Sequence, residues 1–552
     1  MRRILKIVLP LIGKMGFFRY TLLGILSGLF SFLFINLVTK VVGLIIAGNF
    51  TGISREYIVI FASVILLFIW IRRTLSLAII NLAQTLFWQL RLQILSYVLK
   101  AGYQQLSGRK ERIYSAIFND VYILTDASMS IISFATSLIL ALASLGYLAS
   151  ISFTLFLITL GVALLGVTVY HIGTKKNNRS LQKTRVLENK FVAKANALLD
   201  GFKEIYIEPR KGKDIYENSI DPIAKEAYRS NTLAFTGFLN NQITGQVLFY
   251  ILISSVLLFF SITLNIKPKD TVSFVFTLLY LLGAIETIMV ILPGLMRARV
   301  AANHLVDLKN ELEEAGFSNP LPEKYINREE FESISVRGLE FRYDDNESAF
   351  GVGPVNFDIR QGEVAFIYGG NGSGKTTFVY MTLGLWLPSA GEIRLNGVRV
   401  SHDNYPAYRA AFAVVYSNFY LFEELLGLET FNREKWNYYI RLFELEGKVT
   451  LEGTKFSTTE LSTGQRKRLA LIAALMEEKP VLVIDEWAAD QDPYFRRKFY
   501  TEIIPLLKKE GIAIIAITHD DRYYNCADKL YRMDYGKLVR ESVPDPMASM
   551  LN

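Results

Sequence analysis

Glu363-Val364-Ala365-Phe366-Ile367-Tyr368-Gly369-Gly370-Asn371-Gly372-Ser373-Gly374-Lys375-Thr376-Thr377 is the stretch that decides the fold of the C-terminal half. Val364 to Tyr368 form a short apolar run closed by glycine, which reads as a buried strand. The remainder is GxxxxGK[ST] opening onto a helical run, the strand-loop-helix context that a phosphate-binding loop requires. Glycines let backbone N–H groups converge on phosphate, and the helix N-terminus adds partial positive charge. Gly369, Gly370, Asn371, Gly372, Ser373, Gly374, Lys375, Thr376 and Thr377 are therefore the expected nucleotide contacts. Lys375 should reach the β- and γ-phosphates, and the Thr376 hydroxyl should ligate magnesium.

Pro480-Val481-Leu482-Val483-Ile484 reads as a second buried strand of the parallel kind and ends in Asp485-Glu486. An aspartate at that end, beside the phosphate loop, can hold the magnesium shell. Glu486 next to it is placed to polarise an attacking water, as a general base must. Two acids at a strand end are by themselves more often solvated or capping groups. The phosphate loop upstream is what gives them a chemical reading, with ATP and Mg2+ as the expected cofactors.

A chain of 552 residues exceeds what one core usually organises, and its apolar residues, 51% of the total, are concentrated before residue 300. Six segments, 17–48, 56–87, 127–148, 153–173, 235–266 and 271–295, meet the requirement of roughly 20 apolar residues for a membrane-spanning helix. Arg2, Arg3, Lys6 and Lys14 precede the first, Arg91, Lys100, Arg109, Lys110 and Arg112 follow the second, and thirteen basic residues lie between Lys175 and Arg229. The opposite turns hold only Arg55, Lys267 and Lys269. Positive charge stays on the cytoplasmic side, so the N-terminus and the soluble half should face the cytoplasm. The net charge of +8 follows from this asymmetry and from attraction to membrane lipid headgroups. No aromatic-basic motif accompanies it, so nucleic acid is not an expected partner. Residues 1–14 are too poor in apolar side chains for a cleaved signal peptide and read as an amphipathic elbow along the inner surface. The single cysteine, Cys526, excludes an intrachain disulfide and a zinc cluster. The expected organisation is a membrane domain over 1–312, a linker over 313–330 and a nucleotide-binding domain over 331–545.

Leu461-Ser462-Thr463-Gly464-Gln465-Arg466-Lys467-Arg468 resembles the LSGGQ signature of ATP-binding cassette proteins, departing at Thr463. The whole chain resembles a bacterial ABC half-exporter. Asp485-Glu486-Trp487-Ala488-Ala489-Asp490-Gln491-Asp492-Pro493, Phe495-Arg496-Arg497 and Thr518-His519-Asp520-Asp521-Arg522-Tyr523 are similar to the cyclic-peptide exporter subfamily, whose cargoes include pyoverdine precursor, syringomycin-like lipopeptides and microcins. The resemblance implies an α-helical membrane domain of six transmembrane helices, exporter type, fused to an α/β P-loop nucleotide-binding domain. It also implies a homodimer in the bacterial inner membrane, since Ser462, Gly464 and Gln465 would complete the ATP site of a second copy. Ser462 is equally read as a helix cap. By the same resemblance His519 contacts the γ-phosphate and Tyr343 stacks on adenine. Helices near 113–120 and 205–214 would be coupling helices, and residues 488–490 the loop between ATP sites. Where most cassettes carry a glutamine this chain has Ser417, too short for the same span, with Asn418 or a bridging water as substitutes.

Charge inside a membrane costs about 2.5–3.5 kcal/mol at a helix centre and marks function or pairing. Lys40, Arg72, Arg73 and Glu286 sit in the apolar segments, with Arg72, Arg73 and Glu286 the candidate cargo contacts. Adjacent arginines cannot share one helical face, and snorkelling or structural pairing is the competing reading. The leading expectation is ATP-driven export of a peptide-like metabolite or siderophore precursor, with an outer-membrane or periplasmic partner conceivable. A broad drug or lipid exporter is the alternative, and an ATP-dependent membrane regulator or scaffold is the reading from another class.

Overall fold

The computed structural model describes residues 2–46, 55–106, 108–313, 322, 325–342, 351–401, 403–428 and 430–544. The chain divides into two compact units, residues 1–95 with 111–310 and residues 96–110 with 311–552.

The first unit is built on six long helices: α1 (Arg2–Ile46), α2 (Arg55–Lys100), α3 (Val121–Ile151), α4 (Phe153–Asp200), α5 (Asp221–Ser255) and α6 (Pro268–Glu313). Each contains, or forms part of, a helical stretch long and apolar enough to cross a membrane. At 1.5 Å per residue the 46 residues of α2 extend roughly 70 Å, more than twice the hydrocarbon thickness, so the helix continues well outside it. Ser152 separates α3 from α4 in an extended conformation, its hydroxyl accepting from the N–H of Leu155 to cap the new helix. Residues 2–14 are not a separate elbow, because helix runs unbroken from Arg2 to Ile46. Residues 113–120 are likewise not a separate short helix. Lys110–Ser115 and a π turn at Ala116–Asp120 lead straight into α3. Near 205–214 the chain does form short helices, Phe202–Ile207 and Pro209–Ile215, interrupted at Glu208 ahead of Pro209.

Helices α4 and α5 meet through a reciprocal arrangement. A Cβ at Gly173 would lie 2.3 Å from Asn241 Oδ1, and one at Gly237 would lie 2.2 Å from Asn177 Oδ1. Each glycine thus admits the amide of the facing helix, the close approach that small residues permit between helices in lipid. Farther along, buried Asp120 accepts from Arg185 of α4 at 2.9 Å and faces His304 of α6 at 3.7 Å, tying three helix extensions together.

In the second unit, β1 (Ser333–Arg342), β2 (Gly351–Arg360), β4 (Ala390–Leu395) and β5 (Val398–Arg399) form an antiparallel sheet in the order β2-β1-β4-β5. β3 (Val364–Tyr368), β6 (Phe412–Val415), β9 (Val481–Asp485), β10 (Ala513–Ile517), β11 (Lys529–Asp534) and β12 (Lys537–Glu541) form the main sheet in the order β12-β11-β3-β10-β9-β6, parallel except for β12. A small hairpin pairs β7 (Leu451–Glu452) with β8 (Lys455–Phe456). Val364, Ala365, Phe366 and Ile367 are all fully buried because this sheet is covered on both faces. Phe366 and Ile484 point to the layer containing helix α8 (Thr463–Met476), and Ile367 and Val483 to the layer containing helix α7 (Lys375–Thr382). The segment 96–110 also packs in this unit. Its short helix Tyr103–Leu106 sets Tyr103 edge-on to Tyr380 of α7, ring centres 5.6 Å apart.

Gly237→Leu should cost about 1–3 kcal/mol by overpacking the α4–α5 contact and should lower the thermal midpoint of the protein in nanodiscs. Gly146→Leu, where a side chain meets nothing within 4 Å, should leave that midpoint unchanged. Equal midpoints for the two variants would show that the glycine contact is not a packing constraint.

Candidate ATP site

The phosphate loop begins where β3 ends. A Cβ on Gly369 would lie 2.2 Å from the Met533 carbonyl oxygen, so only glycine fits there, whereas Gly370 and Gly372 face open space. Gly374 turns the chain through φ +107 into α7. The N–H groups of Gly372, Gly374, Lys375 and Thr376 have no acceptor among the described residues. Among the described residues Ser373 Oγ is buried without a partner. Lys375, itself buried, donates from Nζ to the Gly369 and Gly370 carbonyls at 2.8 and 3.1 Å. A free glycine face, unspent donors at a helix start and an ammonium beside them are what a polyphosphate fits.

Asp485 closes β9 at 5% exposure. Burial pushes its carboxyl up, and the Ser417 hydroxyl, donating to Oδ2 at 3.1 Å, draws it back down. Glu486 follows in the left-handed region at φ +48, a conformation costing roughly 1–2 kcal/mol for a residue with a side chain. Its N–H donates to the Ile517 carbonyl at 3.1 Å, and its Oε1 lies 3.1 Å from His519 Nε2. The structure therefore brings together Lys375, Asp485, Glu486 and His519 from three strand ends. Ser417 touches the aspartate itself rather than reaching outward, and Asn418 makes no hydrogen bond among the described residues. Behind Ser417, the Tyr416 ring packs on Tyr380 at 6.1 Å, and burial holds its phenol well above the ordinary tyrosine range.

The signature segment lies at the start of α8. Ser462 and Gln465 form a capping box, with Gln465 N–H donating to Ser462 Oγ at 3.4 Å and Ser462 N–H to Gln465 Oε1 at 3.3 Å. Among the described residues no hydrogen bond or ion pair joins Ser462, Gly464 or Gln465 to the loop 369–377. Gly464 instead accepts from Gln491 through its carbonyl at 3.1 Å. The loop after Glu486 is gripped from two sides. Arg468 of α8 donates to Gln491 and Asp492, and Arg496 donates to the carbonyls of Ala488, Ala489 and Gln491. Tyr500 meets Thr518 and Asp520, the residues flanking His519, at 2.6 and 2.9 Å. Lys467, Arg468, Arg496 and Tyr500 carry no signal of their own in the sequence beyond lying near motifs, so their roles emerge only in three dimensions.

Tyr343 lies outside the described residues. In the membrane unit Arg72 and Arg73 are both exposed and unpaired among the described residues. Glu286 is half-buried and accepts from Gln246 at 2.6 Å. The structure does not bring Glu286 into contact with either arginine.

The ABC transporter family profile matches residues 352–489. ATP-binding protein SyrD of Pseudomonas syringae pv. syringae is 29% identical over 538 residues, 95% of this chain and 94% of that one. The energy-coupling factor transporter ATP-binding protein EcfA1 of Streptococcus pneumoniae is 28% identical over 225 residues, 39% of this chain and 82% of its own. A solved structure of a bacterial Atm1-family ABC exporter with ATP bound superposes with a TM-score of 0.77 at 16% identity, covering 95% of this chain and 94% of that one. The profile match and the assembled site make residues 352–489 an ABC-type nucleotide-binding cassette fitted to ATP hydrolysis. The six apolar helices ahead of the cassette make the chain an exporter-type, multi-pass protein of the inner membrane.

Glu486→Gln keeps the shape and removes the candidate base, so ATP should still bind while turnover falls by about 10² or more. A parental turnover rate in the purified variant would remove Glu486 from that role. Ser417→Ala should leave most ATP turnover at saturating magnesium but raise the magnesium concentration for half-maximal rate several-fold. An unchanged magnesium titration would show that the hydroxyl does not orient Asp485.

Proposed function

We propose that two copies of this chain form an ATP-driven exporter of a polar, peptide-like metabolite or siderophore precursor. The observation that carries the cargo class is a cavity of about 580 Å³ in the membrane unit, lined among others by Asn119, Arg185, Glu188, Asn231 and Arg297. That volume suits a small-molecule ligand. Arg297 has no partner among the described residues, so a guanidinium is left for a carboxylate. The amides offer both donors and acceptors to a peptide backbone. Similarity to SyrD along nearly the whole chain and the motif resemblance support the same class.

The signature segment supports the dimer reading: among the described residues no hydrogen bond or ion pair joins it to the phosphate loop of its own chain, and its helix start fits a γ-phosphate held by a second copy. Thr376 and Asp485 offer two hard oxygen donors, and substrate phosphate and water oxygens would complete the shell that Mg2+ prefers. When bound, Mg2+ neutralises charge developing on the β- and γ-phosphate oxygens. Glu486 then takes the proton of the attacking water, and His519, 3.1 Å away, orients the carboxylate and the γ-phosphate. Lys375 leaves its loop carbonyls for the phosphate oxygens. A chain carrying this whole hydrolytic set has no need of it as a scaffold.

An apolar cavity of about 310 Å³ lined by residues such as Phe134, Leu138, Val162, Phe249 and Met289 is the observation favouring the broad drug or lipid exporter. A panel of acidic peptides, siderophore precursors and hydrophobic drugs, tested for ATPase stimulation and uptake in reconstituted vesicles, separates the two. Polar peptides should stimulate, and Arg297→Gln should raise the concentration for half-maximal stimulation several-fold. Stimulation by the drugs alone, indifferent to Arg297, would replace this reading with the alternative.

A further inference from the structure

Lys467 is a lysine in the interior, its side chain 4% exposed, and a buried ammonium is costly unless it is paired and hydrogen-bonded. Two acceptors meet it. Asp490 Oδ2 lies at 2.6 Å, and the backbone carbonyl oxygen of Glu486 at 3.1 Å. The second contact falls on the residue whose carboxylate touches His519. Glu486 is held in the left-handed region by bonds on both of its peptide groups: its N–H donates to Ile517, and its C=O accepts from Lys467. With both peptide planes fixed around the strained Cα, the Cα–Cβ direction is fixed as well, and the 3.1 Å contact with His519 Nε2 sets the carboxylate at its end. The next residue returns the bond, because the buried Trp487 indole donates from Nε1 to the Lys467 carbonyl at 2.7 Å. One turn earlier, a Cβ on Gly464 would lie 2.9 Å from the Asp490 carbonyl oxygen, so the start of α8 presses directly on the same loop.

We infer that Lys467 is the positioning residue for Glu486, tying the start of α8 to the direction of the Glu486 carboxylate, so that hydrolytic competence follows the placement of the Ser462–Gln465 segment. Any displacement of α8 moves Nζ, and Nζ carries the Glu486 carbonyl and Asp490 with it. On the dimer reading proposed above, that segment caps the ATP of the partner subunit, and each Glu486 is thereby aimed only when the opposite nucleotide is in place. The ligand sensed is a nucleoside triphosphate on a second copy of this chain, and the device that senses it is an ammonium bridging a helix and a backbone carbonyl.

The test uses the full chain in nanodiscs with four variants: Lys467→Met, which keeps the stem and removes the donor; Lys467→Arg, which keeps the charge; Asp490→Asn; and Glu486→Gln as the background for a cycle. Lys467→Met should lower kcat about tenfold or more, as a misplaced reacting group does, with the KM for ATP within about twofold of the parent. Lys467→Arg should recover most of that loss. Added to Glu486→Gln, Lys467→Met should cause no further loss of residual turnover, because the group it aims is already gone. A kcat within about twofold of the parent, or losses that multiply in the double variant, would overturn the assignment. If Lys467→Met does not fold, Asp490→Asn at a half-exposed site carries the same test: a lowered kcat that is non-additive with Glu486→Gln supports the clamp, and an unchanged kcat overturns it. Dimer sensing is read separately from the ATP dependence of the rate. Parental cooperativity that survives Lys467→Met sinks the sensing half, whereas full parental turnover per chain from discs that hold a single copy sinks the dimer reading and leaves the kcat cycle to judge Lys467.

Discussion

Parallel pairing of β3, β10 and β9 is the constraint from which the chemistry descends. Ile517 stands in register with Ile367 on one side and Asp485 on the other, so the three strands stop at one level. Chain leaving that edge must supply the phosphate loop, the Asp485–Glu486 pair and His519 within a few ångströms of each other. Ligands of open parallel sheets bind outside the carboxyl ends of the strands for this reason. The Thr518 N–H donating to the Ile367 carbonyl, and the Glu486 N–H to that of Ile517, extend the pairing past the last strand residues and into the site. A slip of one residue between β9 and β10 would turn Glu486 away from His519 as surely as its removal.

The membrane unit meets a different requirement. Its outer surface carries large apolar side chains such as Leu66, Trp70 and Leu258, so specificity of packing rests on small residues and on the polar groups kept inside. Gly173 and Gly237 serve α4 and α5 in this way, and Asp120 with Arg185 and His304 binds the helices where they continue beyond the apolar zone. The Nδ2 atoms of Asn177 and Asn241 are buried without partners among the described residues, so it is the close approach to Gly237 and Gly173 that the structure records for these two amides.

What could be read from the chain alone is what lies close together along it. The loop 369–377, the acids ending β9 and the histidine ending β10 each announce themselves within a dozen residues, and apolar runs announce the six spans. Contacts between distant positions could not be read. Ser417 and Asp485 are 68 residues apart, and nothing in either neighbourhood says that a serine shortens the reach toward the aspartate instead of failing to span a gap. Lys467 looks like one more basic residue in Arg466-Lys467-Arg468 until its burial is known. Helix continuity over 2–14 and 113–120 is hidden in the sequence for a related reason: polar residues signal departure from lipid, and a helix leaving lipid need not end. The helix that packs in the cassette unit is Tyr103–Leu106, only four residues long, with no periodicity to betray it.

That short helix joins a line of rings, Tyr103 against Tyr380 and Tyr380 against Tyr416, ending beside Ser417 and Asp485. Ring contacts resist approach steeply and resist separation weakly, since dispersion fades within an ångström while overlap repulsion rises at once. The linkage therefore behaves as a strut and not as a cable. It carries load when the 96–110 segment is driven toward α7 and goes slack when that segment withdraws, which makes mechanical communication along it directional without any hinge, latch or long polar side chain.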